Sequence, residues 1–387
     1  MSKHAQVVII GAGLVGVSIA YHLAIRGCTD VLILEKQSRG SSGSTGRSLA
    51  GVWQQFHHPV NVQLSRYSIA RLLDFQREIG ISPGLRQTGS LFLVDDPLTW
   101  QQYLDDAAMQ RALGAHVEVL APAEVARLLP HLHTDDLCGA VYSPDGGYCD
   151  PRSIALGYLQ RALELGVRQR FRSAVTGFEI RDEHIYAVHT HSSTITCDVV
   201  VNAAGPWAGE VAAYAGLELP VHSYRRASYT VAPFAPLPTA TPLVVDVGSG
   251  FCLRTDGDSL YVGQHGASTP GLVGAQAEGD EGDDDAVLAA AQHRLPALRQ
   301  STPDHVRRHM GLDEMTPDAN PVIGRHPDLA GYIDANGFSG HGVMHAPATG
   351  MLVAEEILDG RAHSIDIDEL RIGRFVPVLR QKERGAL

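Results

Sequence analysis

Lysine is nearly missing from this chain: Lys3, Lys36 and Lys382 are the only three among 387 residues. Arginine supplies the other cations, and acids outnumber both, leaving a formal net charge of -12. That balance argues against nucleic acid as a partner, because such binding rests on neutralising phosphates with lysine and arginine. It also disfavours anionic membrane surfaces. Cysteine is sparse. Cys28, Cys138, Cys149, Cys197 and Cys252 form no CxxC and no short pairing pattern, and their neighbours are largely apolar. They read as reduced core thiols, with no disulfide framework and no zinc site. No apolar run reaches the roughly 18 residues of a membrane span without glycine or charge. Residues 1–6 are too short for the charged and apolar regions of a signal peptide, so the cytoplasm is the expected location. Histidine is plentiful, but His57/His58, His131/His133 and His189/His191 lack a cysteine or carboxylate partner pattern. Core or solvated imidazole is the reading there, and no metal is expected.

What is present organises itself around the first forty residues. Val7-Val8-Ile9-Ile10 is the continuous apolar run of a buried parallel strand, and Gly11-Ala12-Gly13-Leu14-Val15-Gly16 follows it into an apolar helical stretch. A second apolar run, Val31-Leu32-Ile33-Leu34, ends on Glu35, 19 positions after Gly16. The dinucleotide fingerprint expects an acid about 20 residues on. Gly11 permits a tight turn, Gly13 lets backbone approach a pyrophosphate, and Gly16 lets helix and strand pack closely. Glu35 would then accept hydrogen bonds from ribose hydroxyls. The length exceeds the roughly 250–300 residues at which single cores stop growing, so two domains are expected.

Further along, Ser44-Thr45-Gly46-Arg47-Ser48 sits in a run of glycines and small hydroxyls that suits a backbone lying against a flat cofactor and phosphate oxygens. A helix is expected over 60–79, a strand over 89–94, and helices over 98–113 and 151–165. Alternating strands follow from residue 174. A buried strand, Val199-Val200-Val201-Asn202, runs into Ala203-Ala204-Gly205-Pro206-Trp207, a second small-residue approach at a strand's carboxyl end. Residues 221–264 read as strands, residues 278–285 as an acidic solvated loop, and 286–294 as a helix. Near the end, Gly337-Phe338-Ser339-Gly340-His341-Gly342 precedes a helix expected over 348–358.

These motifs, with Met315-Thr316-Pro317-Asp318, resemble the FAD-dependent amine oxidoreductases, the family of sarcosine oxidase, glycine oxidase, dimethylglycine dehydrogenase and D-amino-acid dehydrogenases. The last two motifs look most like the sarcosine oxidase β subunit. The resemblance spans nearly the whole chain and implies an α/β FAD-binding Rossmann-like domain joined to an α+β substrate domain built on a mostly antiparallel sheet, as in D-amino-acid oxidase. The boundaries expected are 1–85, 140–215 and 315–387 for the FAD domain, and 86–139 and 216–314 for the substrate domain. It implies FAD contacts from Gly11, Gly13, Leu14, Val15, Gly16, Glu35 and Lys36, then from Ser44, Thr45, Gly46, Arg47 and Ser48. Val175 is expected beside the adenine, Ala204, Gly205 and Trp207 along the cofactor, and Gly340, His341, Gly342, Val343 and Met344 beside the flavin.

The chain departs from its relatives in the substrate site. Gly311 stands where monomeric sarcosine oxidase carries a flavin-linking cysteine, and no equivalent of the flavin-linking histidine of dimethylglycine dehydrogenase is present, so FAD is expected to be held non-covalently. Asp313 occupies the position of a carboxylate-binding arginine, and Met344 that of a carboxylate-binding lysine. Arg226, or its neighbour Arg225, is then the replacement anchor; otherwise the substrate carries extra positive charge near Asp313. His265 matches a histidine that faces the flavin in sarcosine oxidase and is the candidate for keeping the amine neutral. The catalytic expectation is thus His265, Asp313, Arg226 and Met344. The expected activity is oxidation of the C–N bond of an amino acid or secondary amine by hydride transfer to the flavin, giving an imine that is hydrolysed. Oxygen or a redox partner would take the electrons. Two alternatives stay open: an FAD-binding electron-transfer subunit of a larger hetero-oligomer, and an NAD(P)H-dependent flavin monooxygenase.

Overall fold

The computed structural model of the protein describes residues 4–232, 237, 240–264, 269–270, 284–300 and 306–375. Its first sheet is built on the apolar runs. Val7–Ile10 and Val31–Leu34 are buried at every position, as strands covered on both faces require. Six strands lie in the order Val322–Arg325, Tyr332–Asn336, Val199–Asn202, Val7–Ile10, Val31–Leu34, Arg168–Arg170. All neighbours are parallel except the pair Val322–Arg325 with Tyr332–Asn336. Val7 pairs with both Val31 and Val199, so distant parts of the chain meet at one carboxyl edge. A three-stranded antiparallel sheet, which includes Val175–Arg181 and His184–Thr190, covers one face through Ile185 and Val188.

The helix Leu14–Ile25 is buried along most of its length against the helices Pro151–Glu164 and Gly342–Leu358. Its crossing with the last helix has no spare room: a Cβ on Gly350 would lie 2.3 Å from Ser18 Oγ, which donates to Ala346 O at 2.8 Å. This last helix begins six residues before the expected 348. It runs through Pro347, whose ring removes a donor near the helix start, and the Ala348 N–H is met by Ser68 Oγ at 3.2 Å. Elsewhere the caps behave as their residues predict. Asp96 accepts from Thr99 N at 2.7 Å and Asp150 from Arg152 N at 3.0 Å, each ahead of a proline at the first helical position.

The second sheet has nine strands and is antiparallel apart from Leu243–Asp246 beside Ser90–Val94. Its longest ladder pairs His222–Val231 with Val306–Met315 from His222↔Met315 to Val231↔Val306. One face buries Tyr229, Leu253 and Val262 against Val287 and Ala291 of the helix Asp284–Arg294 and Leu295 just after it. That helix starts inside the acidic run; residues 278–283 lie outside the described residues. The strand Gly139–Ser143 lies between Ser90–Val94 and Glu118–Leu120, so the boundary at 140 cuts through a strand of this sheet. The cysteines are free thiols, all buried except the partly exposed Cys138.

One strand of the first sheet holds an acid against its ordinary chemistry. Ile333 and Ala335 enter one apolar cluster, and Tyr332 enters the cluster on the opposite face, where alternation also turns Asp334. Neither Asp334 oxygen has a hydrogen-bond partner among the described residues, and burial pushes the carboxyl up to about 7. The folded chain therefore holds a proton that the unfolded chain loses near pH 4, so this group's cost to stability grows as pH rises from about 4 to about 7. Asp334→Asn is expected to stabilise the protein by about 1–3 kcal/mol at neutral pH. Urea midpoints should show a larger gain on the alkaline side of pH 7 than near pH 4, and equal midpoints for the two proteins at both would refute it.

Candidate cofactor and substrate site

A cavity of about 280 Å³ opens where Val7–Ile10, Val31–Leu34 and Val199–Asn202 end. Gly11, Gly13, Leu14 and Val15 line its centre. Gly11 has φ +110°, and a Cβ there would sit 2.4 Å from Ala203 O, so the position requires glycine. The helix Leu14–Ile25 starts on the cavity with Gly13 as its cap, no side-chain cap and no acid in its first turn. The Leu14 N–H donates to Thr45 Oγ1 at 3.1 Å. A second helix, Gly342–Leu358, starts on the same cavity, also without a capping side chain or a first-turn acid, and Gly340, Gly342 and Val343 line its entrance. Two positive helix ends converge, which suits a doubly anionic group.

At one end stand Glu35, Lys36, Val175 and Trp207. Glu35 accepts from Ala12 N through Oε2 at 2.9 Å and from Gln37 N through Oε1 at 2.8 Å. Each oxygen keeps a lone pair, so the fixed carboxylate is ready for a vicinal diol. Lys36 Nζ lies 3.1 Å from the centre of the Trp207 ring, and burial lowers its ammonium to about 8. The small-residue run contributes Ser44, Thr45 and Ser48 on the wall, with Ala204 and Gly205 opposite as a second close backbone approach. An elongated dinucleotide with a ribose at one end and a pyrophosphate between the helix starts fits these groups.

A smaller pocket continues from this cavity and shares Ser44, Ser48, Asp313 and Gly340 with it. Its walls include Leu49, Trp53, Leu243 and Val245, and its charged groups are Arg47, Arg226 and Asp313. Arg226 Nε and an Asp313 carboxylate oxygen form an ion pair, and Arg226 Nη2 lies 3.6 Å from Met315 Sδ. The register explains the pair. Tyr224 faces Asp313 and Arg226 faces Gly311, so Arg226 and Asp313 are diagonal neighbours on one face, while Arg225 turns to the other. Cys252, also in the wall, has its thiol pushed up to about 12 by burial, so it is no nucleophile near neutral pH.

Comparison with known proteins decides the family. The FAD-dependent oxidoreductase (DAO) family model matches residues 6–356. The chain belongs to this family. Mitochondrial dimethylglycine dehydrogenase of Mus musculus is 29% identical over 96% of the chain, which spans only 44% of that protein. The chain likewise spans less than half of the first curated relatives it matches. Among solved structures, L-proline dehydrogenase from P. horikoshii superposes with TM-score 0.87 and 30% identity, covering 100% of this chain and 99% of that one. Glycine oxidase from Geobacillus kaustophilus gives TM-score 0.83 and 25% identity, covering 95% and 98%. FAD is thus the dinucleotide of this flavoprotein, and its fold is the α/β FAD-binding fold that the motifs imply.

Not every residue expected at the FAD site reaches it. Gly16 lies below the cavity, where a Cβ would come 2.1 Å from Gly11 O, so its role is spacing. Gly46 makes a turn against Ser41 O and Arg152, and Arg47 lines the smaller pocket and donates to Met310 O at 3.3 Å. His341 is buried edge-on against Phe56, with ring centres 4.9 Å apart. Met344 is a correction: it is 1% exposed in the apolar core, because two helical residues after Gly342 it has turned about 200° away from the cavity. It lines neither of the two pockets described above. His265 lies outside the described residues. Sequence reasoning missed Trp53, for which no motif exists, and Glu314, which adjoins Asp313 and lines the FAD cavity.

Among the described residues, the donor atoms of His133, Asp136 and His293 are the one convergent group of metal-ligand type. Arg294 already donates to Asp136 through Nη1 and Nη2, at 2.8 and 3.2 Å, and a metal cation would have to displace it. No described helix is long and apolar enough to cross a membrane. For the cofactor end, Glu35→Ala removes the carboxylate that the Ala12 and Gln37 amides hold in place for a ribose diol. Charge-assisted hydrogen bonds contribute about 1.5–3 kcal/mol, so FAD affinity of the apoprotein should fall about ten- to a hundredfold. Flavin fluorescence titration reads this, and unchanged affinity would remove Glu35 from the ribose.

Proposed function

We propose that the protein oxidises the C–N bond of a small α-amino acid or N-alkyl amino acid, giving an imine that water hydrolyses. The observation that carries the reading is the Arg226–Asp313 pair in an otherwise largely apolar pocket that opens on the FAD cavity. An amino acid arrives as a zwitterion, and this pair offers a charge for each of its ends. Arg226 takes the carboxylate, with Asp313 fixing the plane of the guanidinium. Asp313 meets the amine end. Leu49, Trp53, Leu243 and Val245 leave an apolar space for a compact side chain or N-alkyl group. The relatives named above, a proline dehydrogenase, a glycine oxidase and a dimethylglycine dehydrogenase, support small amino acids and N-alkyl amino acids as the substrate class.

FAD, when bound, supplies the hydride acceptor. The chain's own residues supply position. They hold the carboxylate away from the cofactor cavity, present the adjacent carbon at its Gly340 end, and keep water out of the apolar wall. The nitrogen must lose its proton before its lone pair assists hydride departure, and His265 is the proposed acceptor. Gly311 lines the smaller pocket and offers no side chain to link the flavin, which supports non-covalent binding. Lys36 is the only lysine among the described residues, and it stands at the nucleotide end over Trp207. No described ammonium flanks the substrate pocket to promote reaction with oxygen, which favours a redox partner as electron acceptor.

Anaerobic titration of the yellow holoprotein tests the proposal. Amino acids or their N-alkyl derivatives should bleach the flavin, and polyamines should not. Arg226→Ala should weaken amino-acid binding about tenfold or more, since the lost charge-assisted contact amounts to about 1.5–3 kcal/mol. Asp313→Asn should weaken it less, through loss of the orienting partner. If NADPH bleaches the flavin and no amino acid or amine does, the proposal fails. Stronger amino-acid binding by Asp313→Asn would show that Asp313 opposes the carboxylate and does not serve the amine.

A further inference from the structure

Glu314 is the acid in this site for which the proposed chemistry has no use. It stands next to Asp313 near the end of the strand Val306–Met315 and lines the FAD cavity. Backbone N–H groups of Gly337 and Phe338 donate to its carboxyl. Its Oε2 is shut off from solvent and has no hydrogen-bond partner among the described residues. That oxygen faces Gly205, where an added Cβ would approach it to 3.1 Å. Gly205 belongs to the small-residue turn that lets backbone approach the cofactor, so the unpartnered oxygen borders the path the dinucleotide takes.

A carboxylate is an unsuitable neighbour for that path. FAD brings a pyrophosphate dianion, and the groups facing Glu314 offer little to neutralise another negative charge. On its own strand Asp313 adds a negative charge already matched by Arg226. Across the ladder stands Ser223, and Arg225 is the diagonal neighbour on the same face, but no cation is among the groups that shift the Glu314 carboxyl. The loop Gly337-Phe338-Ser339 and the turn Gly205-Pro206-Trp207 carry no charged side chain. The next charges around the cavity, Lys36 and Glu210, lie beyond Trp207, with Lys36 over its ring. Burial and the Asp313 charge push the Glu314 carboxyl up to about 8. A protonated acid, unlike a carboxylate, also has a hydrogen to donate.

We propose that Glu314 binds FAD as a neutral carboxylic acid, donating its carboxyl hydrogen to an acceptor atom of the cofactor beside Gly205. This rests on FAD occupying the cavity as described, but not on the identity of the substrate. Binding selects the protonated form, so affinity is constant where Glu314 is neutral and falls where it is ionised. The FAD dissociation constant of the apoprotein should therefore rise about tenfold per pH unit above the carboxyl's pKa of about 8.

The test is fluorescence titration of apoprotein with FAD across neutral to alkaline pH, for wild type and Glu314→Gln. Glutamine keeps the shape and a donor but cannot ionise, so its affinity should match wild type within a few fold at neutral pH and exceed it progressively as pH rises. Lys36 loses its charge in the same range in both proteins, so the difference between the two curves isolates Glu314. Calorimetry on Lys36→Gln in buffers of different ionisation enthalpy gives a check that keeps Glu314 itself in place. FAD binding there should take up protons on the alkaline side of the transition. Parallel curves, or no proton uptake, overturn the inference while leaving the cofactor site intact. Failure of wild type to bind FAD at any pH would overturn the site as well.

Discussion

The approach of Gly11 to Ala203 sets the geometry on which the rest of the site depends. A Cβ at Gly11 would lie 2.4 Å from Ala203 O, so two strands end with their backbones in contact and no side chain between them. The helix after Gly11 can then begin on the cavity, and Gly16, against Gly11 O, keeps it there. Two helix starts, and no lysine, face the centre of the cavity, an arrangement suited to an anion in a chain so poor in lysine.

The second sheet attaches to that centre through one strand. Val306–Met315 carries Asp313 and Glu314 to the cavity while its ladder with His222–Val231 carries Arg226 to the same place. Four acids, Glu35, Glu210, Asp313 and Glu314, line the cavity, and Glu35, Asp313 and Glu314 are each handled differently. Backbone amides fix Glu35, Arg226 pairs with Asp313, and burial favours the proton on Glu314. These arrangements reduce the negative charge that faces the cavity inside a protein of net charge -12.

Legibility followed the range of the determinants. The first sheet and the turn at its carboxyl edge were readable because their determinants are local: a strand, a glycine turn and an acid fall within about 30 residues, and Gly11 and Gly16 are each demanded by a backbone contact. The substrate pocket was readable only in its charges. Arg226 and Asp313 are 87 positions apart, and only the ladder register shows that they neutralise each other, so the sequence left an anionic and a cationic substrate both open. Met344 failed for a related reason. Its position in a motif was clear, but the helix starts at Gly342, through a proline, and that phase turns the side chain into the core. Trp53 enters the pocket from a segment with no motif at all, placed by tertiary packing alone.

The same register decides which charges this pocket carries. Side chains alternate along a strand, so a slip of one residue between His222–Val231 and Val306–Met315 would face the pocket with Arg225 or Ala227 in place of Arg226, or move Asp313 to the far side. Charge placement therefore does not depend on a loop residue with its own motif. It depends on a ladder running from His222↔Met315 to Val231↔Val306, held in phase at its far end by Tyr229 and Val231 in the apolar core. Positions 226 and 313 share one face whatever residue stands at either, and no short sequence motif records that pairing.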